Sequence, residues 1–139
     1  MSDIDAVRDR NIATVWEYFR LQNESDLDRW LELWAVDCRH VIPFAPHNFP
    51  RALEGRDELE RVYRRLYAGY RSLEVDATIY PMLDPNTVVA QWYTRAELVG
   101  GGAYSGEVMG MFTFGDDGKL REVTEYFNPI AFLKAIRKA

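Results

Sequence analysis

The spacing of apolar residues changes along the chain from a helical period to strict alternation. The first part, up to about Tyr70, carries three stretches in which apolar residues recur at i, i+3, i+4 and i+7, which predicts three helices. The first covers about Ile4 to Asn23, the second follows Ser25 as its expected N-cap, and the third follows Gly55. Their apolar positions are Ile12, Val15, Trp16 and Phe19 in the first helix, Leu27, Trp30, Leu31 and Trp34 in the second, and Leu59, Val62, Tyr63, Leu66 and Tyr70 in the third.

From Leu73 onward apolar and polar residues alternate, which predicts strands that are buried on one face. The predicted strands are Leu73–Ile79, Thr87–Val99, Ala103–Phe114 and Lys119–Phe127, after an earlier strand at Cys38–Ile42. Tight turns join the later strands, so these are antiparallel neighbours. Pro129 opens a short terminal helix. We therefore predict one α+β domain over residues 1–139, in which a curved antiparallel or mixed sheet wraps around three N-terminal helices.

Composition narrows the possible functions. The 139 residues are 47% hydrophobic and 14% aromatic, which suits one core with a lined cavity. A net charge of −5 without a basic patch argues against nucleic acid and against an anionic membrane surface. Cys38 is the only cysteine, and His40 and His47 have no metal-ligand spacing, so neither a metal nor a cofactor is expected. The acidic N-terminus and the lack of a long apolar run predict a cytoplasmic protein.

The last predicted strand carries the strongest candidate for chemistry. Val123, Glu125 and Phe127 share one face, which should point inward. A carboxyl group between two apolar neighbours is desolvated, so its pKa should rise toward neutral pH. Glu125 is therefore either a general acid or base, or a buried carboxylate that is paired for structural reasons.

Two charged residues on the strand Thr87–Val99 form a second candidate. Arg95 and Glu97 leave this strand on one face, together with Gln91 and Tyr93. If that face lines the cavity, Arg95 can bridge Glu97 and Glu125 and hold the two carboxyls in different protonation states. If it faces water, the same alternation describes a half-exposed strand.

Four aromatic or imidazole side chains complete the set of candidates. His40 is either a group that places substrate or a structural histidine, and Tyr18 either enters the cavity or lies at its rim. Trp34 and Tyr63 are predicted to belong to the core and to the cavity wall, with Tyr93 as a further substrate contact.

The order of elements resembles the nuclear transport factor 2-like superfamily, and within it the SnoaL-like group. The motifs that carry this resemblance are Asn23–Asp28, Leu53–Asp57, Asp117–Leu120 and Glu125–Pro129. The resemblance implies a cone-shaped fold with a pocket between the sheet and the helices. It also implies a homodimer built through the sheet, for which the face that carries Glu107, Met109 and Met111 is the candidate.

Members of this group differ in how well their catalytic residues transfer to this chain. The tyrosine of ketosteroid isomerase falls on Tyr18, but its base falls on Ile42 and its acid near Gly110, so that mechanism does not carry over. The Arg-x-Asp pair and the water-activating aspartate of limonene epoxide hydrolase fall on Arg95, Glu97 and Glu125. The phenazine-biosynthesis A/B proteins also place an acid at Glu125.

These observations predict a cofactor-independent acid–base enzyme that acts on a hydrophobic small molecule. Glu125, Arg95 and Glu97 are the predicted catalytic residues, and Tyr18, His40, Trp34, Tyr63 and Tyr93 are the predicted substrate contacts. Isomerisation, cyclisation, dehydration and epoxide opening all remain open. The alternative is a non-catalytic module that binds a small molecule or dimerises.

Overall fold

The computed structural model describes residues 2–138, with side chains through residue 135. Its helices are α1 (Asp3–Asn23), α2 (Leu27–Leu31), α3 (Arg56–Ala68) and α4 (Pro129–Lys138). Its strands are β1 (Trp34–Val41), β2 (Ala52–Glu54), β3 (Tyr70–Pro81), β4 (Thr87–Leu98), β5 (Ala103–Phe114) and β6 (Leu120–Phe127). The α+β class is confirmed. In the described part of the chain, no helix is both long enough and apolar enough to cross a bilayer.

Within residues 2–138, six strands form one sheet in the order β2-β1-β6-β5-β4-β3. Strands β1 and β6 are parallel, whereas the other neighbours are antiparallel. In the parallel pair His40 lies opposite Val123, so His40 and Glu125 are diagonal neighbours on one face. This crossover brings the first long strand beside the last one and so creates the site described below.

The core between the helices and the inner face of the sheet is strongly aromatic. Tyr18, Trp30, Trp34 and Phe112 are fully buried, and their rings lie within about 5–6 Å of one another in tilted or edge-to-face pairs. Helix α1 buries the stripe that contains Val15, Tyr18 and Phe19, but Trp16, predicted to be part of it, is 52% exposed. The buried stripe includes Asn11 in place of Trp16. The side-chain amide of Asn11 donates to the Pro85 carbonyl at 2.9 Å.

Three predictions at element boundaries are wrong. Helix α2 is capped by Asp26, whose carboxylate accepts from the Arg29 amide, and not by Ser25, which has a φ of 55°. Trp34 belongs to β1, because the chain extends there to pair with Leu120. Tyr70 likewise begins β3, since α3 ends at Ala68 and Gly69 is its C-cap.

Candidate active site

Glu125 lies on the inner face of β6, as the alternation predicts, and only 18% of its side chain is exposed. Val123 is fully buried on the same face, and Gly110 is the cross-strand partner of Glu125 on β5. Burial in these apolar surroundings raises the pKa of Glu125 from its usual value near 4.5 to about 7. At neutral pH the carboxyl group is therefore present in both its protonated and its ionised form.

Gly110, the cross-strand partner of Glu125, makes room for the ring of Trp92. A Cβ atom at this position would lie 2.7 Å from Cη2 of Trp92, an indole that is itself buried. The glycine thus lets the Trp92 ring lie against the sheet over β5.

His40 is the titratable neighbour of Glu125. Its Nε2 lies 3.8 Å from Oε2 of Glu125, and its Nδ1 lies 3.2 Å from the hydroxyl of Tyr63. The histidine is only 1% exposed, and this burial lowers its pKa from 6.5 to about 4. Between about pH 4 and pH 7 both groups are mainly uncharged, so the contact is a neutral pair and not an ion pair.

The charge of Glu125 acts on several tyrosines. Burial, followed by the charge of Glu125, raises the pKa of Tyr18 and Tyr63 well above the usual value. The same two causes raise the pKa of Tyr104 to about 12, and Tyr67 and Tyr70 are affected in the same direction. Five phenols therefore lie within electrostatic reach of one carboxyl group, and all of them remain protonated hydrogen-bond donors at neutral pH.

Several polar atoms around this centre have no hydrogen-bond partner among the described residues. They are the hydroxyls of Tyr18 and Tyr67, Oε1 of Gln22, Nε2 of His40, and the indole nitrogens of Trp30 and Trp34. Gln22 is near enough to Tyr67 to offset part of the rise in its pKa, although no hydrogen bond joins the two. Buried polar groups are normally paired, so these atoms represent unused hydrogen-bonding capacity in the interior.

The arrangement supports proton transfer in an apolar interior. Ionised Glu125 can remove a proton, and the protonated acid can return it at another position. Neutral hydroxyls such as those of Tyr18 and Tyr67 can donate to a substrate oxygen on which negative charge develops. Among the side chains that the structure describes, no group of three or more His, Cys, Asp or Glu residues lies together as a metal site requires.

The structure does not bring Arg95 or Glu97 to this centre, which corrects the expected triad. Both lie on the outer face of β4, opposite to the buried face of Ala96 and Leu98. Arg95 is 56% exposed and pairs at 3.0 Å with Glu74, its cross-strand partner on β3. The correspondence with limonene epoxide hydrolase fails for this pair, because the sheet separates it from Glu125.

The other predicted contacts divide in the same way. Tyr18, His40, Trp34 and Tyr63 are all buried around Glu125, and the Trp34 and His40 rings are 5.8 Å apart. Tyr93, by contrast, is 39% exposed on the outer face, so its predicted contact with a ligand in this interior is wrong.

The sequence patterns did not single out Gln22 or Tyr104 as members of the site. A signal for Gln22 was present, because it follows Tyr18 by one helical turn. Tyr104 needed the structure: a Cβ atom at Gly106 would lie 2.9 Å from its hydroxyl, so this ring lies along the strand over a glycine.

Comparison with known proteins agrees with the fold. Residues 15–123 match the SnoaL-like domain family. A crystal structure from Bacillus subtilis, provisionally named an isomerase, is 22% identical and has a TM-score of 0.83 over 94% of this chain and 95% of that one. A phenazine biosynthesis-related protein from Pseudomonas aeruginosa is also 22% identical, with a TM-score of 0.83 over 97% of this chain and 90% of the other. A protein from Xanthomonas campestris pv. campestris, provisionally named a polyketide cyclase, is 21% identical, with a TM-score of 0.80 over 94% and 98%.

Proposed function

This chain belongs to the SnoaL-like family, and from that premise we propose that it is an acid–base enzyme for an apolar small molecule. The observation that carries the proposal is Glu125, a desolvated carboxyl group with a pKa of about 7 amid protonated tyrosines. Isomerisation or cyclisation through an enol is the reaction type that this combination favours. The isomerase and polyketide cyclase names of the similar structures point in the same direction.

The proposed step begins with ionised Glu125 removing a proton from a carbon next to a carbonyl group. The electron pair of that C–H bond forms the C=C bond of an enolate, and the carbonyl oxygen takes the negative charge. Hydroxyls of Tyr18 and Tyr67, which have no hydrogen-bond partner among the described residues, donate to that oxygen. Glu125, now protonated, returns the proton at a second carbon if the enolate is conjugated with a further C=C bond. Alternatively, the enolate carbon attacks another carbonyl group within the same molecule, and Glu125 gives its proton to the resulting alkoxide.

The test follows exchange of carbon-bound protons and needs no knowledge of the natural product. Cyclic ketones such as 2-tetralone are incubated with the protein in D₂O, and α-proton exchange is followed by NMR. Replacement of Glu125 by Gln keeps the side-chain volume but prevents proton transfer, so we expect the rate to fall by ~10²–10⁴-fold. The wild-type rate should rise with pH through about 7, as Glu125 ionises.

Glu97→Gln is the matched control for this test. It removes a carboxylate from the exposed outer face of β4, so exchange should continue at the wild-type rate. Exchange that persists unchanged in Glu125→Gln would remove this residue from the mechanism.

A dimerising module is the second candidate, and the outer face of the sheet favours it. Met109 and Met111 are each 44% exposed, and the exposed rings of Tyr93 and Tyr126 lie on the same face. Arg95 and Glu107, of opposite charge, lie on this face as well, and a two-fold axis can pair opposite charges of two copies.

Light scattering of the purified chain tests the dimer, with Met109→Glu as the disruptive variant. A wild-type dimer that becomes monomeric in this variant supports the pairing. If the wild-type chain is a monomer, the proposed dimer is wrong, and the enzymatic proposal is unaffected.

A further inference from the structure

A cleft of about 400 Å³ opens between the end of α3 and the start of β3. Its lining includes Leu27, Arg64, Tyr67, Tyr70, Arg71 and Leu73. No acidic side chain is among these residues. This cleft therefore combines apolar and aromatic walls with two guanidinium groups.

The two arginines differ in how far their charge is already compensated. Arg64 pairs with Asp28 at 2.6 Å and with Glu60 at 2.7 Å. Within the described side chains, Arg71 forms neither a hydrogen bond nor an ion pair. A guanidinium group stays charged at all ordinary pH values, so Arg71 is the cation of this cleft that remains available to a ligand.

The backbone of β3 is irregular at Arg71. Tyr70 is opposite Leu98 and Ser72 is opposite Glu97, which leaves Arg71 as an extra residue without a partner on β4. Such a bulge changes the direction in which a side chain leaves the strand. Arg71 consequently lines the cleft, whereas Arg95 on the neighbouring strand pairs with Glu74.

A line of aromatic rings connects this cleft with the candidate active site. The ring centroids of His40 and Tyr63 are 5.7 Å apart, those of Tyr63 and Tyr67 are 6.2 Å apart, and those of Tyr67 and Tyr70 are 5.9 Å apart. His40 contacts Glu125 at the inner end, and Tyr67 and Tyr70 form part of the cleft at the outer end. The cleft and the candidate active site are therefore joined by one row of aromatic side chains.

We propose that Arg71 binds the anionic end of an elongated aromatic or polycyclic acid whose apolar part extends along these tyrosines toward Glu125. Arginine suits this role because its planar donors match the oxygens of a carboxylate or sulfonate. The inference deepens the proposed function and rests on it for the chemistry at Glu125. It adds the substrate class: an organic acid, in preference to its neutral analogue.

Two fluorescent probes with one ring skeleton test this selectivity. 1-Anilinonaphthalene-8-sulfonate carries the anionic group, and N-phenyl-1-naphthylamine lacks it. Dissociation constants are measured for the wild type, for Arg71→Gln and for Arg65→Gln, which removes the same charge from an exposed position of α3 outside the cleft. We expect Arg71→Gln to raise the dissociation constant of the sulfonate probe about 10-fold or more and to leave that of the neutral probe unchanged. Arg65→Gln should change neither dissociation constant by more than about twofold.

A further variant locates the bound probes. Ala68→Trp places a large ring in the cleft from an exposed position near the end of α3, so both probes should bind more weakly. Equal weakening of the sulfonate probe by Arg71→Gln and Arg65→Gln would mean a general charge effect and would overturn the proposal. So would equal effects of Arg71→Gln on both probes, or binding that Ala68→Trp does not change.

Failure of this inference can be told apart from failure of the proposed function. Probe binding involves no proton transfer. If Glu125→Gln leaves α-proton exchange unchanged but Arg71→Gln selectively weakens the sulfonate probe, the acid-binding site stands without the proposed catalysis. The reverse result removes only the site at Arg71.

Discussion

Glu125→Gln should make the protein more stable at alkaline pH, although it removes the proposed catalytic group. The pKa of Glu125 is about 7 in the folded chain, against a usual value near 4.5. Folding therefore raises this pKa. The free energy of unfolding has its full value below pH 4.5, where the carboxyl group is neutral in both the folded and the unfolded chain. Part of it is lost as the pH rises through 7, because the folded state then has to hold a buried negative charge.

The magnitude follows from the size of this shift. Each pKa unit corresponds to about 1.4 kcal/mol, so ionised Glu125 costs on the order of 3 kcal/mol once the pH exceeds both values. Between pH 5 and pH 8 the change amounts to roughly 2–3 kcal/mol. Glutamine has a similar volume and does not ionise, so the free energy of unfolding of the variant lacks this pH dependence.

Urea unfolding of wild type and Glu125→Gln at pH 5 and at pH 8 measures this effect. The stability difference between the two proteins is determined at each pH, and the two values are compared. The difference in unfolding free energy between Glu125→Gln and wild type should move in favour of the variant by roughly 2–3 kcal/mol from pH 5 to pH 8. Any cost of fitting the amide is common to both pH values and cancels. Glu97→Gln, at an exposed position, should show only a small difference at either pH. An unchanged difference for Glu125→Gln would refute the claim that the carboxyl group is desolvated.

Three further changes test other parts of the structure. His40→Asn should show the opposite pH dependence, because the pKa of His40 falls to about 4, so that its contribution is present above pH 6.5 and is lost as the pH falls through 4. In urea unfolding the variant should gain roughly 2 kcal/mol on wild type between pH 7 and pH 4.5, and no gain would mean that His40 is accessible to water. Gly110→Ala should cost about 1–3 kcal/mol, because the new methyl group meets Trp92 at 2.7 Å, and an unfolding free energy equal to wild type would contradict this packing. Asn23→Ala removes hydrogen bonds to both the amide and the carbonyl of Val75, at 2.7 and 3.0 Å, so amide exchange at Val75 should accelerate; unchanged exchange would show that the edge strand does not depend on this side chain.

Much of the fold was accessible from the chain alone, because long amphipathic segments carry their own signal. The bounds of α1 and β5 follow closely from the apolar periods, and the turn residues that follow β4 and β5 define antiparallel neighbours. The errors lie at Trp34 and Tyr70, where an apolar side chain fits the helical period and an inward strand position equally well. Pairing with β6 and with β4, respectively, decides those two positions in favour of strands.

The candidate site was only partly predictable, since the chemistry depends on contacts between distant segments. The alternation on β6 places Glu125 inward between Val123 and Phe127, and this prediction of its position is confirmed. The periodicity of apolar residues does not predict that Nε2 of His40 lies 3.8 Å from Oε2 of Glu125. This contact depends on the parallel pairing of β1 and β6, which is a property of the whole sheet. The tyrosine hydroxyls converge for the same reason, from two helices and two strands.

The amino-acid sequence by itself determined the α+β class, the inward position of Glu125 and its apolar surroundings, because each depends on short-range periodicity. Only the tertiary structure decided that Arg95 and Glu97 face outward, since an alternating strand has two chemically plausible faces and the packing of Trp92 into the core selects one. Tertiary structure also produced the bulge at Arg71, because the register between β3 and β4 is set by the pairing of both strands along their full length. Local patterns specify which residues are buried, whereas the assembled sheet specifies which of them meet.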